Sequence, residues 1–502
     1  MRKWLPLVAI CLGTFMLLID VTIVNVALPD MAIDLSTSFS SLQWVIDIYA
    51  LVLAALLLGA GSVSDIIGRR KVYLVGLVVF ALASLTSGLS PNATLLIISR
   101  GVQGLGAAAM FATTVALINA SYQHRDRGTA YGVWGAVSGA AAATGPIVGG
   151  LLTDSLSWRW IFFVNLPISA AAIVLSIKAL DGSRGEHKAR IDLAGIVTFT
   201  ASASLITYGF IRAGSDGWLT LTTLAYIGGG LIALALFVVV ERRVAEPMLD
   251  LSLFTERRFI GVILAALCLS MTAFGYLAYA SIWLQSVLGL SPIQAGLVFL
   301  PLSLASFGVS AGIGRRLHDV SPHWIIGGGL MLIGAGALAQ AILTENSRWP
   351  SLLVGLLVVG IGVGLANPTL ASATMASVPM RRGGMAAGAM STGRQLGFAF
   401  GIALLGTIFQ SRIASVLGGH GIPHVSDVAA AVSGGQSQAV IQAAPAERRD
   451  QLMTLVHQAF ASGLNTIFVV SGVVAILAGL IVVLLLRPAK QPQEEVVLAA
   501  TA

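Results

Sequence analysis

Fourteen apolar stretches, each long enough to cross a bilayer, follow one another from Trp4 to Leu486 with polar segments between them. They cover residues 4–28, 43–63, 72–90, 94–118, 130–153, 160–179, 191–211, 219–240, 259–287, 295–314, 323–343, 351–376, 384–410 and 464–486. A spanning helix needs about 20 mostly apolar residues. In lipid the backbone of such a segment satisfies its polar groups by closing on itself as a helix. The pattern therefore predicts an all-α polytopic membrane protein.

The spacing of the stretches divides them into six, two and six. Residues 1–180 hold the first six and residues 259–486 the last six. Between them, residues 181–258 begin with a polar linker, DGSRGEHKARID from Asp181 to Asp192, and hold two further spans joined by a short loop with Arg212 and Asp216. Residues 487–502 form a tail. A weak echo links the two sixes: GSVSDIIGRRK, from Gly61 to Lys71, has a counterpart around Gly314, Arg315 and Arg316. Parallel six-span halves that handle a substrate between them are a recurring transporter plan. One loop, residues 411–463, is long, and from Pro445 onward its apolar residues Leu452, Leu455, Val456, Ala459 and Phe460 share one helical face. That face reads as a helix lying in the membrane interface, with a part in substrate release as the alternative.

Composition agrees with the pattern. Apolar residues make up 56% of the chain and charged residues 10%, against about 25% charged in a soluble domain. The 56 glycines suit helices that pack closely in lipid, where burial supplies no drive. Cys11 and Cys268 both fall inside apolar stretches, so neither a disulfide framework nor a metal site is expected. The first apolar run reads as a span and not as a cleaved leader. The net charge of +7 would suit a nucleic-acid partner, but the positions of the charges exclude that reading. Of 29 Lys and Arg, 21 lie in segments on one side, among them Arg2, Lys3, Arg69, Arg70, Lys71, Arg381 and Arg382. Six lie on the other side, and the remaining two, Arg100 and Arg394, lie within spans. Positive loops stay cytoplasmic, so both termini are expected inside.

Few polar residues carry candidate chemistry. Among 22 acidic residues, Asp20 and Asp47 lie well inside spans. A carboxylate in the bilayer costs upward of about 2.5 kcal/mol, so such residues usually face a cavity and act there. Asp20 and Asp47 are the candidates for proton binding, a structural hydrogen bond being the alternative. Asp47, nearer the interface, is expected to be relieved by water. Arg100, in ISRGVQGLGAAAM (Ile98–Met110), can partner an acid or steer protons, with snorkelling to an interface as the plain alternative. Arg394, in STGRQLGFAFG (Ser391–Gly401), is expected to face a central cavity and to meet Asp20 across it. Asn25, Gln103 and Gln395 join Arg394 as candidates for the substrate wall. The fifth span carries Gly132, Gly135, Gly139, Gly145, Pro146, Gly149 and Gly150. An interior proline removes a backbone hydrogen bond, so this stretch is expected to act as a hinge.

These motifs resemble those of the major facilitator superfamily. GSVSDIIGRRKVYLVG (Gly61–Gly76) is similar to its signature between the second and third spans, with Gly61, Asp65, Gly68, Arg69, Arg70 and Lys71 on the matching positions. Arg100-Gly101 with Gln103-Gly104 resembles the fourth-span motif associated with proton coupling. Gly145-Pro146 with Gly149-Gly150 resembles the antiporter motif of the fifth span, although Ala141 replaces an earlier glycine. LIDVTIVNVALP (Leu18–Pro29), WRWIFFVNLP (Trp158–Pro167) and WLQSVLGLSPIQAGLVFLP (Trp283–Pro301) resemble segments of the 14-span drug:proton antiporters. The resemblance implies two six-helix bundles plus two inserted helices, a charge latch at Asp65, Arg69 and Arg70, and export of amphipathic drugs or antibiotics in exchange for protons. It implies no cofactor beyond the proton gradient, small-molecule substrates, lipid as surroundings and a monomer in the bacterial cytoplasmic membrane. Relatives that export dicationic drugs tend to carry acids in the thirteenth span, where this chain has Met390, Ser391, Arg394 and Gln395. Alternatives are an exporter of a self-made antibiotic or siderophore, or a receptor or scaffold without transport. An enzyme is not expected, because no catalytic triad, metal-ligand cluster or phosphate-binding loop is present in the sequence.

Overall fold

The structure, a computed structural model, describes residues 2–180, 192–245, 247–316, 320–378, 383–420 and 422–487. The linker 181–191, Arg381, Arg382, the tail beyond Arg487, and the side chains of Asp65, Arg315 and Arg316 lie outside the described residues. The described residues form helices and no strand. In chain order these are α1 (Leu5–Asp34), α2 (Phe39–Ile67), α3 (Arg69–Gly88), α4 (Ala93–Ser121), α5 (His124–Ser155), α6 (Trp160–Phe163) and α7 (Asn165–Ala179). Next come α8 (Leu193–Asp216), α9 (Leu221–Glu241), α10 (Arg257–Phe274), α11 (Leu277–Ile282), α12 (Pro292–Val298) and α13 (Leu300–Arg316). The last are α14 (Pro322–Gln340), α15 (Leu353–Ala376), α16 (Gly383–Gly419), α17 (Val425–Ser433), α18 (Ser437–Ala443) and α19 (Arg449–Leu486).

Thirteen of the expected spans are helical and apolar enough over their described residues to cross a membrane. The remaining one, the fifth, is the 32-residue helix α5, which runs through Pro146 without a break. Three spans are built from consecutive pieces: α6 with α7, α10 with α11, and α12 with α13. Local chemistry sets the ends. Ser38, Asn92 and Thr220 accept the third backbone N–H of α2, α4 and α9, and Ser291 with Gln294 forms a capping box on α12. Between α2 and α3 the chain turns at Gly68 with φ 108°, a backbone conformation that a side chain would strain. Large apolar side chains such as Val75, Ile177, Ile232, Val354 and Leu477 stand exposed on outward faces. An aqueous surface would not carry so continuous an apolar coat; lipid accepts it.

The helices pack as two groups. In the first, α1 lies against α5 and α7, and α4 against α2 and α3. In the second, α14 lies against α15 and α19, and α10 against α16 and α19. The pair α8–α9 packs on itself and on α16 and α2. Lys3 with Asp126, and Arg257 donating to the carbonyl of Arg487, mark the end of the bundle that carries both described termini. Toward the opposite end, polar contacts join the two groups: Gln285 Nε2 donates to the Val26 carbonyl at 2.9 Å, and Gln43 Nε2 donates to Tyr279 Oη at 3.3 Å.

The long loop departs from its expected form. Residues 452–460 are not a separate interfacial helix; they are the first turns of α19, a 38-residue helix. The face read from the sequence is real, but it packs into protein: Val456, Ala459 and Phe460 are fully buried, and Phe460 meets Phe409 of α16 edge-on at 5.4 Å. Before α19 the short helices α17 and α18 lie over the seam between the groups. Gln436 Nε2 donates to the Ala32 carbonyl at 3.5 Å, and Gly435 rests against Pro29 and Ile282.

Candidate functional site

Asp20 is fully buried in the middle of α1, and two neighbouring helices, α4 and α7, supply its donors. Arg100 Nη1 of α4 donates to Asp20 Oδ2 at 2.5 Å. Gln103 Nε2, one turn further along α4, donates to Asp20 Oδ1 at 2.9 Å, and Asn165 Nδ2 of α7 donates to the same oxygen at 3.1 Å. Ser84 Oγ of α3 accepts from Asn165 at 3.0 Å and donates to the Phe162 carbonyl at 2.9 Å. Arg100 is held further by the Val45 carbonyl, by Gln103 Oε1, and by the ring of Tyr49 with its centroid at 4.4 Å. The result is one connected polar network inside the first group, without water access: Arg100 is 1% exposed and Gln103, Asn165 and Ser84 are 0% exposed. A buried ion pair is tolerable only when its remaining hydrogen-bond capacity is filled, and here nearly all of it is. Asn165 Oδ1 and Tyr49 Oη are the exceptions.

Arg100 partners an acid, the reading given first for it; its guanidinium is enclosed, so the snorkelling alternative does not apply. One expectation is corrected: the partner of Asp20 is Arg100 and not Arg394, because both Asp20 oxygens are already occupied by α4 and α7. Arg394 lies half-buried on α16, next to Gly393, which packs on Ile263 of α10, and two residues from Thr392, whose Oγ1 donates to the Ala54 carbonyl at 3.4 Å. Gln395 is also half-buried, and Asn25 is buried with its Oδ1 lacking a donor.

Asp47 departs from expectation in the other direction. It is 0% exposed, not relieved by water, and neither carboxylate oxygen has a hydrogen-bond partner. Four residues before it on α2, Gln43 donates to Tyr279 Oη, and Tyr279 donates to the Ile402 carbonyl of α16 at 2.5 Å. Asp47 therefore sits beside the seam where α2, α11 and α16 meet.

The loop motif is placed in part. Arg70 Nη2 donates to the Ile177 carbonyl of α7 at 2.6 Å, which ties α3 to the end of α7. Gly61 has open space around it, Gly68 makes the turn, and Arg69 keeps a contact of its own. The Asp65 partner of this expected latch lies outside the described side chains. The antiporter stretch is a set of close approaches. A Cβ on Gly145 would strike Thr22 of α1, and one on Gly149 would lie 2.8 Å from Ile23 Cγ1. A Cβ on Gly150 would lie 2.5 Å from the Pro292 carbonyl oxygen of α12, and one on Gly296 would strike the Pro146 carbonyl. The surroundings of Gly132, Gly135 and Gly139 lie outside the described residues.

Sequence reasoning missed Asn165, Ser84, Tyr49 and Tyr279. Asn165 had a signal, an amide side chain in the apolar run WRWIFFVNLP. Ser84 had none, since a helical serine ordinarily bonds back to its own backbone.

The family model described as Major Facilitator Superfamily matches residues 10–402. The multidrug resistance protein Stp of Mycobacterium tuberculosis (strain ATCC 25618 / H37Rv) is 36% identical over 417 residues, 83% of this chain and 78% of that protein. The puromycin resistance protein pur8 of Streptomyces alboniger is 36% identical over 86% of this chain and 87% of its own length. The tetracenomycin C resistance and export protein of Streptomyces glaucescens is 31% identical over 100% of this chain and 95% of its own. Among solved structures, a bacterial homolog of the human lysosomal transporter Spinster, inward-facing and unoccupied, superposes with TM-score 0.67 and 15% identity over 97% of both chains. The helical architecture, the family match over most of the length and these relatives lead to one assignment: the chain belongs to the major facilitator superfamily.

Proposed function

We propose that this protein is a proton-coupled antiporter that exports amphipathic drugs or antibiotics across the bacterial cytoplasmic membrane, with both termini inside. The relatives named for drug and antibiotic resistance support the substrate class. The observation that carries the coupling is the unequal state of the two buried acids. Asp20 is fully bonded within one group of helices, whereas Asp47 has no partner and lies beside the seam between groups. Asp47 has no path to water while the seam is shut, so its proton exchange awaits the opening of the seam. Asp20 exchanges its proton as the Arg100–Gln103 side of α4 moves relative to α1. Arg100 thus serves coupling by holding Asp20. In this reading residues 1–180 and 259–486 rock as two bundles, with α8 and α9 as an insertion and α17–α18 over the loop side. Arg69 and Arg70 with Asp65 form the latch. The Gly145, Pro146, Gly149 and Gly150 stretch serves as the sliding contact of α5. Asn25, Arg394 and Gln395 face the substrate, whereas Gln103, expected beside them, is enclosed in the Asp20 network. The protein acts as a monomer in lipid, driven by the proton gradient with no cofactor. The test is reconstitution in proteoliposomes: a drug panel should move against its gradient when a pH difference is imposed and stop when a protonophore collapses it. Drug movement that ignores the protonophore would refute the coupling.

The whole-length match to a protein named for resistance and export of one antibiotic favours a second reading, export of a self-made antibiotic. Arg394 bears on selectivity. A guanidinium keeps its charge in proteins, and a fixed cation repels a dication more than it repels a neutral amphipath. Arg394→Glu should improve transport of a dicationic biguanide by about tenfold relative to a neutral antibiotic, the ratio that about 1.4 kcal/mol supplies. Arg394→Gln should fall between. Identical transport ratios in all three proteins would remove Arg394 from the substrate wall.

A further inference from the structure

Two acids outside the site described above meet at the end of the bundle that carries the termini. Asp192 precedes α8, where its Oδ1 accepts from Gly195 N at 2.8 Å. Glu241 closes α9, where its Oε2 accepts from Leu249 N at 3.2 Å. Both are buried, 7% and 4% exposed. The second oxygen of each, Asp192 Oδ2 and Glu241 Oε1, has no donor. The two unpartnered oxygens face the same point beside Gly195: a Cβ there would strike Asp192 Oδ2 and lie 2.8 Å from Glu241 Oε1. Two ionised carboxylates offer acceptors only, so side by side they repel and leave each other unsatisfied. One proton between them converts the contact into a short charge-assisted hydrogen bond.

The pair sits where three elements join. Through Leu249 it holds the segment after α9, whose Met248, Leu249 and Leu253 pack with Phe259 of α10 and Ala386 and Ala389 of α16. Asp250 N also donates to Met385 Sδ at 3.2 Å. The segment thus fastens the inserted pair α8–α9 to the second group of helices. Among the other described charged groups on these elements, Arg242, Arg243, Glu256 and Arg258 are exposed, Arg257 reaches the Arg487 carbonyl, and Asp250 accepts from Ser252 N. Among the described residues, Asp192 is the titratable group that faces Glu241.

We propose that Asp192 and Glu241 share one proton, and that this proton fastens residues 247–256 to the start of α8, so that its loss loosens the inserted helices from the second group. The device is separate from the Asp20 network and would report the pH on the termini side. The sign follows from the chemistry: the contact holds at low pH and opens as pH rises, because the open form releases the shared proton.

Hydrogen–deuterium exchange of the purified full chain in detergent tests this, with each rate divided by that of an unstructured chain at the same pH. Between about pH 5 and about pH 7, opening that releases one proton makes the Leu249 amide and its neighbours exchange about tenfold faster per pH unit beyond the chemical rate. The excess levels off above that as the closed form loses the proton too. Glu241→Gln places an amide that donates to Asp192 Oδ2 at every pH, so the excess slope should vanish and protection should persist. Asp192→Asn should do the same from the other side. Infrared difference spectra should show a carboxylic-acid carbonyl band in the parent that disappears over the same range and is missing in Glu241→Gln. A flat parent profile, or a slope that survives both substitutions, would overturn the proposal. None of these readouts depends on transport, so failure of the exporter reading would leave the result interpretable.

Discussion

Asp20→Asn should reduce gradient-driven efflux by at least about a hundredfold and lower the melting temperature in detergent. The carboxamide keeps the shape of Asp20 but removes the charge opposite Arg100, whose guanidinium is 1% exposed and has no water to turn to. Breaking one side of a buried ion pair costs about 3–5 kcal/mol, because the remaining charge stays buried and uncompensated. Loss of stability alone could produce a transport defect, so the double variant Asp20→Asn/Arg100→Gln separates the two effects. It removes both charges and keeps polar groups beside Gln103 and Asn165. Its melting temperature should recover most of the loss, while efflux stays absent because no group in the network can exchange a proton. Melting curves and proteoliposome efflux of the three proteins decide the matter. Recovery of efflux in the double variant would reduce the pair to a structural element. Normal efflux by Asp20→Asn would remove it from coupling altogether.

The second large effect is expected at Gly150. Its α-carbon faces the start of α12, and an added Cβ would lie 2.5 Å from the Pro292 carbonyl oxygen and 2.6 Å from Ile293 Cα. Backbone atoms cannot step aside as a flexible side chain can, so Gly150→Val must push α5 and α12 apart. Overpacking of this kind costs about 1–3 kcal/mol, and here the cost falls on the arrangement in which the two groups touch. A penalty on one state alone shifts the equilibrium toward the other by about 5-fold to 150-fold. In a background lacking Cys11 and Cys268, a single cysteine at Ser281, fully buried near the seam and bonded to Gln285, should be labelled that much faster in Gly150→Val. Efflux should fall while drug binding to the detergent-solubilised protein changes little. Unchanged labelling with weakened binding would place this stretch in the substrate wall.

Much of the molecule is visible without coordinates. The spans follow from length and apolarity, because a backbone in lipid has to close its own hydrogen bonds. Asp20 and Arg100 stand out because charge in such segments is expensive. The turn at Gly68 and the crowded glycines near Pro146 could be marked as special, since only a residue without Cβ tolerates either situation. The roles within those sets were a matter of tertiary structure. Arg100 lies 80 positions from Asp20 and Asn165 lies 145 from it, and no periodicity connects them; packing of α1, α4 and α7 makes them partners. Water relief for Asp47 was a reasonable reading of its depth, but α2, α11 and α16 close around it. Likewise the apolar face at residues 452–460 specifies only that something apolar covers it. In the folded protein α16 takes the place of the lipid interface, and the helix continues into the last span. Asp192 and Glu241 carried no signal at all, since each stands at a span end where acids are ordinary. Sequence alone determined which segments enter the membrane and which residues are costly there, because those are properties of single helices. Only the tertiary structure decided who compensates whom, because that depends on which helix faces meet.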